Sequence, residues 1–251
     1  MTAERDQHVK RQRAFYERGD HRHLRPRDAD PYAEKLVHQL ALGCGMQPDE
    51  RVLEIGAGFG RFSFSVLERC GELVALDVSA RALATLDEAR ERRGIPRARL
   101  RTVDCDLYDV DLTRVGEPFD LVIGFFILHH LPELDDALHR IVDLVEPGGR
   151  VAFLEPNRRN PLFLAQVACC PDMSWREEKG MFRLSRRLLE SACERVGLSE
   201  VRIRTFGFFP PQILNRSSLA QRLEERMEAV SWLRGWLPML LITARKAERT
   251  G

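Results

Sequence analysis

Short apolar segments alternate with amphipathic segments along most of the chain. Seven segments are either apolar throughout or alternate apolar with polar residues, as strands do; they are 51–55, 73–76, 100–103, 121–126, 150–154, 201–205 and 238–244. The fourth of these is apolar on both sides, which is typical of a central parallel strand.

The intervals between the strands carry helical periodicity. Leu134, Leu138, Ile141 and Val145 recur at spacings of three and four residues and so share one helix face. Helices are predicted over 33–42, 61–70, 80–92 with Ser79 as N-cap, 134–145, 185–196 and 219–233. Strands that alternate with helices predict parallel βαβ units and a three-layer α/β sandwich.

Polar and aromatic residues stand at or just after several strand ends. They are Glu54, Asp77, Asp106, Phe125 and Glu155. Ligands of parallel sheets bind beyond the carboxyl ends of the strands, so we expect these side chains to share one site.

A glycine turn follows the first strand. Gly56, Gly58 and Gly60 form a G-x-G-x-G pattern, with Glu54 just ahead of it. Glycine allows positive φ and close approach of a ligand to the backbone. Dinucleotide-binding folds place G-x-G-x-x-G here, one residue longer, so this motif alone does not decide between cofactors.

Composition and charge give no support to several classes of partner. The 251 residues are 44% hydrophobic and 31% charged with a net charge of +1, so neither nucleic acid nor an anionic membrane is favoured as partner. The longest apolar run, 121–128, is too short for a membrane span. Without a secretory signal or a C-x-x-C pair, we expect a cytoplasmic chain with reduced thiols. No metal site is expected, because no His, Cys, Asp or Glu cluster has ligand spacing.

In their order and spacing, five motifs of the chain resemble those of the class I S-adenosylmethionine (SAM)-dependent methyltransferases. The resemblance is to the small-molecule branch, which includes ubiquinone, menaquinone and natural-product methyltransferases. The resemblance covers about residues 37–155 and rests on segments 54–60, 76–78, 106, 119–125 and 144–149. It implies a Rossmann-like seven-stranded sheet of order 3-2-1-4-5-7-6, with the last strand antiparallel, helices on both faces and a helical cap.

The extent of the resemblance and the composition of the segments outside it indicate a domain plan. The chain, 1–251, would be a single methyltransferase domain with the SAM-binding core at 37–155. Residues 1–30 would be an N-terminal cap, either mobile or laid over the core, and 156–237 a variable substrate-binding region.

The same resemblance assigns cofactor roles. Asp77 would accept hydrogen bonds from both ribose hydroxyls, Asp106 or less favourably Asp104 would accept from the adenine amine, and Phe125 would line the methionine end. The alternatives are that Asp77 caps the next helix and that Asp106 is a turn residue. The predicted cofactor-binding residues are Glu54, Gly56, Ala57, Gly58, Gly60, Asp77, Val78, Cys105, Asp106, Leu107 and Phe125.

Methyl transfer from a sulfonium needs orientation, and a base only if the acceptor must lose a proton. The candidate catalytic residues are His129, His130 and Glu155, which follow two neighbouring predicted strands. Alternatively, one histidine packs under the following helix. Asn157 and Arg158 are further candidates for contact with the acceptor.

The variable region is predicted to hold the acceptor. The Asn/Asp-Pro-Pro-Tyr motif of methyltransferases that act on amino groups of nucleobases and glutamine amides does not follow the fourth strand. The apolar residues of the variable region suggest an aromatic, polyketide or isoprenoid acceptor, and methylation at oxygen is favoured over methylation at carbon or nitrogen. Apolar residues that would roof the pocket, or else pack on the core or form a homodimer interface, are 206–211, Met173, Trp175, Met181, Phe182, Leu219, Leu223, Met227, Val230, Trp232, Leu233 and Trp236. The rival functions are a non-methylating SAM-binding protein, such as a cyclase or regulatory subunit, and an NAD(P)-dependent oxidoreductase.

Overall fold

A seven-stranded sheet organises the computed structural model, which describes residues 3–17, 21, 24–161 and 179–248. Its strands are β1 Arg51–Ile55, β2 Glu72–Asp77, β3 Leu100–Asp104, β4 Phe119–Phe125, β5 Val145–Pro156, β6 Leu198–Phe206 and β7 Met239–Lys246. Their order is β3-β2-β1-β4-β5-β7-β6, with β1 to β5 parallel and β7 antiparallel to both of its neighbours. The predicted fold is confirmed.

Helices cover both faces of the sheet. They are α1 Ala3–Glu17, α2 Pro31–Cys44, α3 Ser63–Leu67, α4 Ala80–Arg92, α5 Leu112–Val115, α6 Leu134–Leu144, α7 Arg186–Arg195, α8 Pro211–Leu214 and α9 Ser218–Ala229. Short 3₁₀ segments span Leu128–His130, Lys179–Phe182 and Ser231–Trp236. Within the described ranges, no helix is long and apolar enough to cross a bilayer.

Alternation along the strands divides the core into two apolar clusters. Val52 of β1 belongs to the same cluster as Leu36 of α2 and Leu86 of α4, whereas Leu53 belongs to the other cluster, which includes Leu138 of α6. Because successive strand residues point to opposite faces, the sheet buries apolar side chains against helices on both sides. The faces of the sheet are thus covered, and the candidate site lies at the edge formed by the carboxyl ends of the parallel strands.

Two predicted helices end several residues earlier in the structure than the sequence predicts. The segment 61–70 is helical only over Ser63–Leu67, since Arg69 N–H bonds to the Val66 carbonyl at 2.8 Å in a turn. Gly71 N–H then bonds to the Glu50 carbonyl at 2.9 Å, which draws the chain back to the sheet. The segment 219–233 divides into α9 and a 3₁₀ segment.

Candidate active site

The glycine turn links β1 to α3 and presents bare backbone to a cavity. Gly56, Gly58 and Gly60 have φ of +69°, +53° and +84°. A Cβ on Gly56 would lie 2.7 Å from a methyl of Ile127, and one on Gly60 would collide with Leu86. A Cβ on Gly58 would meet nothing closer than the Tyr16 hydroxyl at 3.7 Å. The outer glycines therefore serve packing, and the middle one keeps backbone open toward the cavity.

Asp77, at the end of β2, ties this turn to the start of α4. Its Oδ2 accepts from Gly58 N–H and its Oδ1 from Ser79 N–H, both at 2.8 Å. Burial raises the pKa of Asp77 to about 6, against the opposing effect of these two N–H groups. The N-cap of α4 is Ser79, whose hydroxyl oxygen accepts from Ala82 N–H. Asp77 thus lines the cavity while it supports both loops.

Glu54 lies beneath the turn rather than in the cavity wall. Its Oε2 accepts from the Ser63 hydroxyl at 2.6 Å, and the side chain is fully buried. Burial raises the pKa of Glu54 to about 8. The structure places Glu54 outside the lining of the cavity, in a position that supports α3.

A cavity of about 340 Å³ opens beyond the strand ends. The predicted cofactor-binding residues in its wall are Gly56, Ala57, Gly58, Asp77, Val78, Cys105, Asp106, Leu107 and Phe125. Asp106 lines the cavity, with its Oδ1 accepting from Tyr108 N–H at 3.1 Å, whereas Asp104 is exposed outside it. Like Glu54, Gly60 does not reach the wall.

A buried histidine–carboxylate pair lies where β4 and β5 end. His129 Nδ1 is 2.6 Å from Glu155 Oε2. Glu155 Oε1 accepts from the N–H groups of Ile127 at 2.9 Å and Leu128 at 2.7 Å. Phe126, at φ +57°, turns the chain so that these two amides face Glu155.

Both candidate histidines reach the cavity. The His129 ring is buried and lies 3.9 Å from that of the half-buried His130, measured between centroids. Both line the cavity wall. The structure therefore brings the three candidate catalytic residues together, with His129 and Glu155 in direct contact.

Several residues in the wall were not foreseen from the sequence; they are Tyr16, Tyr32, Arg61, Phe62, Phe126 and Met239. The Phe62 ring stacks on Phe125 at 4.4 Å between centroids. Arg61 directly follows the glycine turn, and that position is the signal that could have identified it. Tyr16 and Tyr32 come from helices outside the recognised motifs, so no spacing indicated them.

Other candidates lie elsewhere. Asn157 Nδ2 donates to the Leu237 carbonyl, and Arg158 donates to the Phe182 carbonyl, both at 2.8 Å, so neither side chain faces the cavity. Of the segment 206–211, only Pro211 is in the cavity wall. The predicted roof residues that lie outside the wall are Met181, Phe182, Leu219, Leu223, Met227, Val230, Trp232, Leu233 and Trp236. Met173 and Trp175 fall outside the described residues.

The cavity fits SAM in size and chemistry. Its volume lies in the range of small-molecule sites. Gly58 leaves space for a ligand against the backbone, and Asp77 supplies carboxylate oxygens suited to vicinal hydroxyls. Aromatic rings, including the Phe62–Phe125 stack, line the region toward β4.

Comparison with known proteins agrees with this geometry. A family model described as a methyltransferase domain matches residues 53–151. An uncharacterized methyltransferase of Mycobacterium tuberculosis (strain ATCC 25618 / H37Rv) is 31% identical over 140 residues, which are 53% of this chain and 68% of that protein. The aklanonic acid methyltransferase of Streptomyces sp. (strain C5) is 33% identical over 110 residues, 43% of this chain and 48% of that protein.

A solved structure supports the fold over nearly the whole chain. The N-methyltransferase NodS from Bradyrhizobium japonicum WM9, in complex with S-adenosylhomocysteine (SAH), superimposes with a TM-score of 0.59 at 18% identity. The match covers 96% of this chain and 98% of NodS.

The chain belongs to the class I methyltransferase family. Membership confirms the predicted enzyme class and, with it, SAM as the cofactor. The oxidoreductase alternative is wrong, because the matched family and the sheet order are those of methyltransferases.

Proposed function

We propose that this chain transfers the methyl group of SAM to a hydroxyl oxygen of a small, fairly apolar metabolite. SAM supplies a methyl group already activated on a sulfonium, so the protein mainly orients the acceptor. The observation that carries the preference for oxygen is the buried pair of His129 and Glu155, of which His129 lines the cavity wall.

The hydrogen bonds of this pair suit it to accept a proton. Glu155 receives two backbone N–H bonds on one oxygen, which leaves its other oxygen to orient His129 Nδ1. Nε2 of the ring would then take the hydroxyl proton, and Glu155 would stabilise the imidazolium that forms. A neutral amine needs no such base before attack, so a buried base favours a hydroxyl acceptor.

Aromatic side chains favour a flat, apolar acceptor. Tyr32, Phe62, Phe125 and Phe126 line the same cavity as His129 and His130. Such rings offer large contact areas and prefer stacked or edge-on partners. The similarity to a methyltransferase named for aklanonic acid supports an acceptor from natural-product metabolism.

We extend the proposal to the roles of individual residues and of the chain segments around them. Asp77 binds the ribose hydroxyls, Asp106 the adenine amine, and Gly56 to Gly58 pass beneath the methionine part. Residues 1–30 act as a cap, 37–155 as the cofactor core, and 156–237 as the variable region. The cytoplasmic location and the homodimer remain predictions.

The test compares matched acceptors with SAM labelled in its methyl group. Wild-type protein is incubated with 1-naphthol, 1-naphthylamine and naphthalene, and products are identified by mass spectrometry. The proposal expects label on the naphthol oxygen only. Methylation of the amine alone would overturn the preference for oxygen.

Substitution at His129 tests the base. His129→Ala should lower kcat for the naphthol about 100-fold or more while calorimetry shows unchanged affinity for SAH. The matched control is His139→Ala, because His139 is exposed on α6 away from the cavity. Full turnover by His129→Ala would eliminate it as base. SAH binding with no transfer to any acceptor would instead favour the non-methylating alternative.

A further inference from the structure

Charged residues are segregated along the cavity. Asp77 ends β2 and Asp106 follows β3, whereas Arg61 lies beside Phe62, whose ring stacks on Phe125 at the end of β4. β1 separates β2 from β4, so these strand ends are roughly 10 Å apart. Among the described residues of the wall, Arg61 is the only arginine or lysine. One end of the cavity is therefore acidic and the other carries a permanent cation.

Arg61 is held in place by a buried carboxylate. Its Nε and Nη2 both lie 3.0 Å from Asp30 Oδ2, and the guanidinium carbon lies 5.5 Å from the centre of the Phe62 ring and 5.8 Å from that of Tyr32. Asp30 Oδ1 accepts from Ala33 N–H at 3.1 Å and from Asn215 Nδ2 at 2.9 Å. Three hydrogen bonds, from Arg61 Nε, Ala33 N–H and Asn215 Nδ2, and the ion-pair contact of Arg61 Nη2 therefore hold Asp30 and Arg61 together.

Asp30 remains ionised in this setting. Burial raises its pKa, but the Arg61 charge and the hydrogen bonds from Ala33, Asn215 and Arg61 outweigh burial and hold the pKa below its usual value. A guanidinium has five N–H groups, of which the Asp30 contacts occupy Nε and one on Nη2. The rest of the fork is available to a second acceptor.

We propose that Arg61 recognises a carboxylate at the β4 end of the cavity. An arginine already fixed by a neighbour loses little rotamer freedom on binding, and its fork matches a carboxylate. Two molecules in the proposed reaction could supply that group: the methionine part of SAM, or an acceptor that carries an acid. The inference rests on the proposed function for the identity of these ligands.

The first experiment tests whether the cofactor supplies the carboxylate that Arg61 binds. Wild type, Arg61→Met and the control Arg69→Met are titrated calorimetrically with SAH and with 5′-methylthioadenosine, which lacks the amino-acid part. Arg69 is a matched control because it is half-buried near α3, donates to the Ser65 carbonyl and does not line the cavity. If Arg61→Met loses about 10- to 100-fold in affinity for SAH but not for 5′-methylthioadenosine, and Arg69→Met loses neither, the carboxylate belongs to the cofactor.

The second experiment addresses the acceptor. The same proteins, saturated with SAH, are titrated with 1-hydroxy-2-naphthoate and with 1-naphthol. A similar loss for the naphthoate alone assigns the carboxylate to the acceptor. Arg61→Lys should retain part of either interaction, because it keeps the charge without the fork.

Two results would overturn the inference. One is unchanged affinity of Arg61→Met for both SAH and the naphthoate. The other is equal loss for ligands with and without the carboxylate, since this indicates a structural role; if Arg61→Met does not fold, Arg61→Lys gives the same comparison. Arg61-dependent binding without methyl transfer would keep this inference while the proposed function fails.

Discussion

Asp77 joins three parts of the site through one side chain. Its two oxygens hold Gly58 and Ser79, and the carboxylate also borders the cavity. Burial raises its pKa to about 6, so its charge is only marginally favoured near neutral pH. The residue proposed to bind the ribose is therefore sensitive to mild acid.

Affinity for SAH should consequently fall at low pH. The ribose hydroxyls need the ionised acid as acceptor, and protonation below about pH 6 competes with binding. We expect a constant Kd above pH 7 and a loss approaching tenfold per unit below pH 6, measured by calorimetry. Asp77→Asn should weaken binding by about 1–3 kcal/mol at pH 8 and flatten the pH profile.

Asp104 supplies the matched control. It faces Asp77 in the β2–β3 register but is exposed outside the cavity. Asp104→Asn should keep full affinity at pH 8 and move the acid loss to slightly lower pH, because the Asp104 charge raises the pKa of Asp77. Weak binding by Asp104→Asn at pH 8 would instead make Asp104 the adenine partner.

At the level of elements, α1 forms part of the cavity wall beside the glycine turn. Arg13 Nε donates to the Val78 carbonyl at 2.9 Å, and the Tyr16 ring lies 5.6 Å from that of Phe59 between centroids. Arg81 of α4 donates to the carbonyls of Tyr16 and Glu17, where a cation complements the C-terminal end of a helix. This contact anchors α1 across the glycine turn.

Loss of this anchor should accelerate release of the cofactor. Arg81→Ala is expected to raise koff for SAH about 3- to 10-fold with little change in kon, since a looser α1 no longer covers the bound molecule. Stopped-flow fluorescence measures both rates. Arg92→Ala is the control, because Arg92 is an exposed residue of α4 that pairs with Glu88. Equal rates in wild type and Arg81→Ala would show that α1 does not gate release.

Periodicity predicted which segments are helices and which are strands, but it did not predict which face of α9 is buried. Leu219 of α9 follows the expected apolar spacing but is 63% exposed, and Glu224 is buried instead. Glu224 pairs with Lys35 at 2.7 Å and accepts from the N–H groups of Phe208 and Phe209. These contacts come from α2 and the loop after β6, so local sequence could not show which face of α9 turns inward.

The same contrast applies to the site. The acids and glycines beyond β1 to β5 were predictable, because strand order brings the ends of parallel strands to one edge. The contact between His129 and Glu155 also followed from the adjacency of β4 and β5. The positions of Tyr16, Tyr32 and Asp30, the partner of Arg61, depend on how the segments before β1 fold over that edge, and local sequence does not show this.

For the molecule as a whole, Glu54 makes stability depend on pH. Its pKa of about 8 in the folded chain exceeds the ordinary 4.5, so the folded state keeps a proton that the unfolded state releases. Stability should therefore decrease as pH rises from about 4.5 to 8 and not below that window.

Glu54→Gln should remove the part of this dependence that is due to Glu54, because Gln can still bond to Ser63 without carrying charge. We expect the variant to be more stable than wild type by about 1–3 kcal/mol at pH 8 and nearly equal at pH 4.5, by urea unfolding at each pH. Identical differences at both pH values would show that Glu54 does not titrate in this window.

The place of β7 in the sheet affects how the chain is made. This strand follows all the other strands in sequence, yet it lies between β5 and β6 and pairs with both. During synthesis, the edges of β5 and β6 that pair with β7 therefore stay unpaired until residues 239–246 have left the ribosome. The nascent chain is exposed to strand-mediated aggregation through that interval, and the sheet closes only as β7 inserts between its two waiting partners.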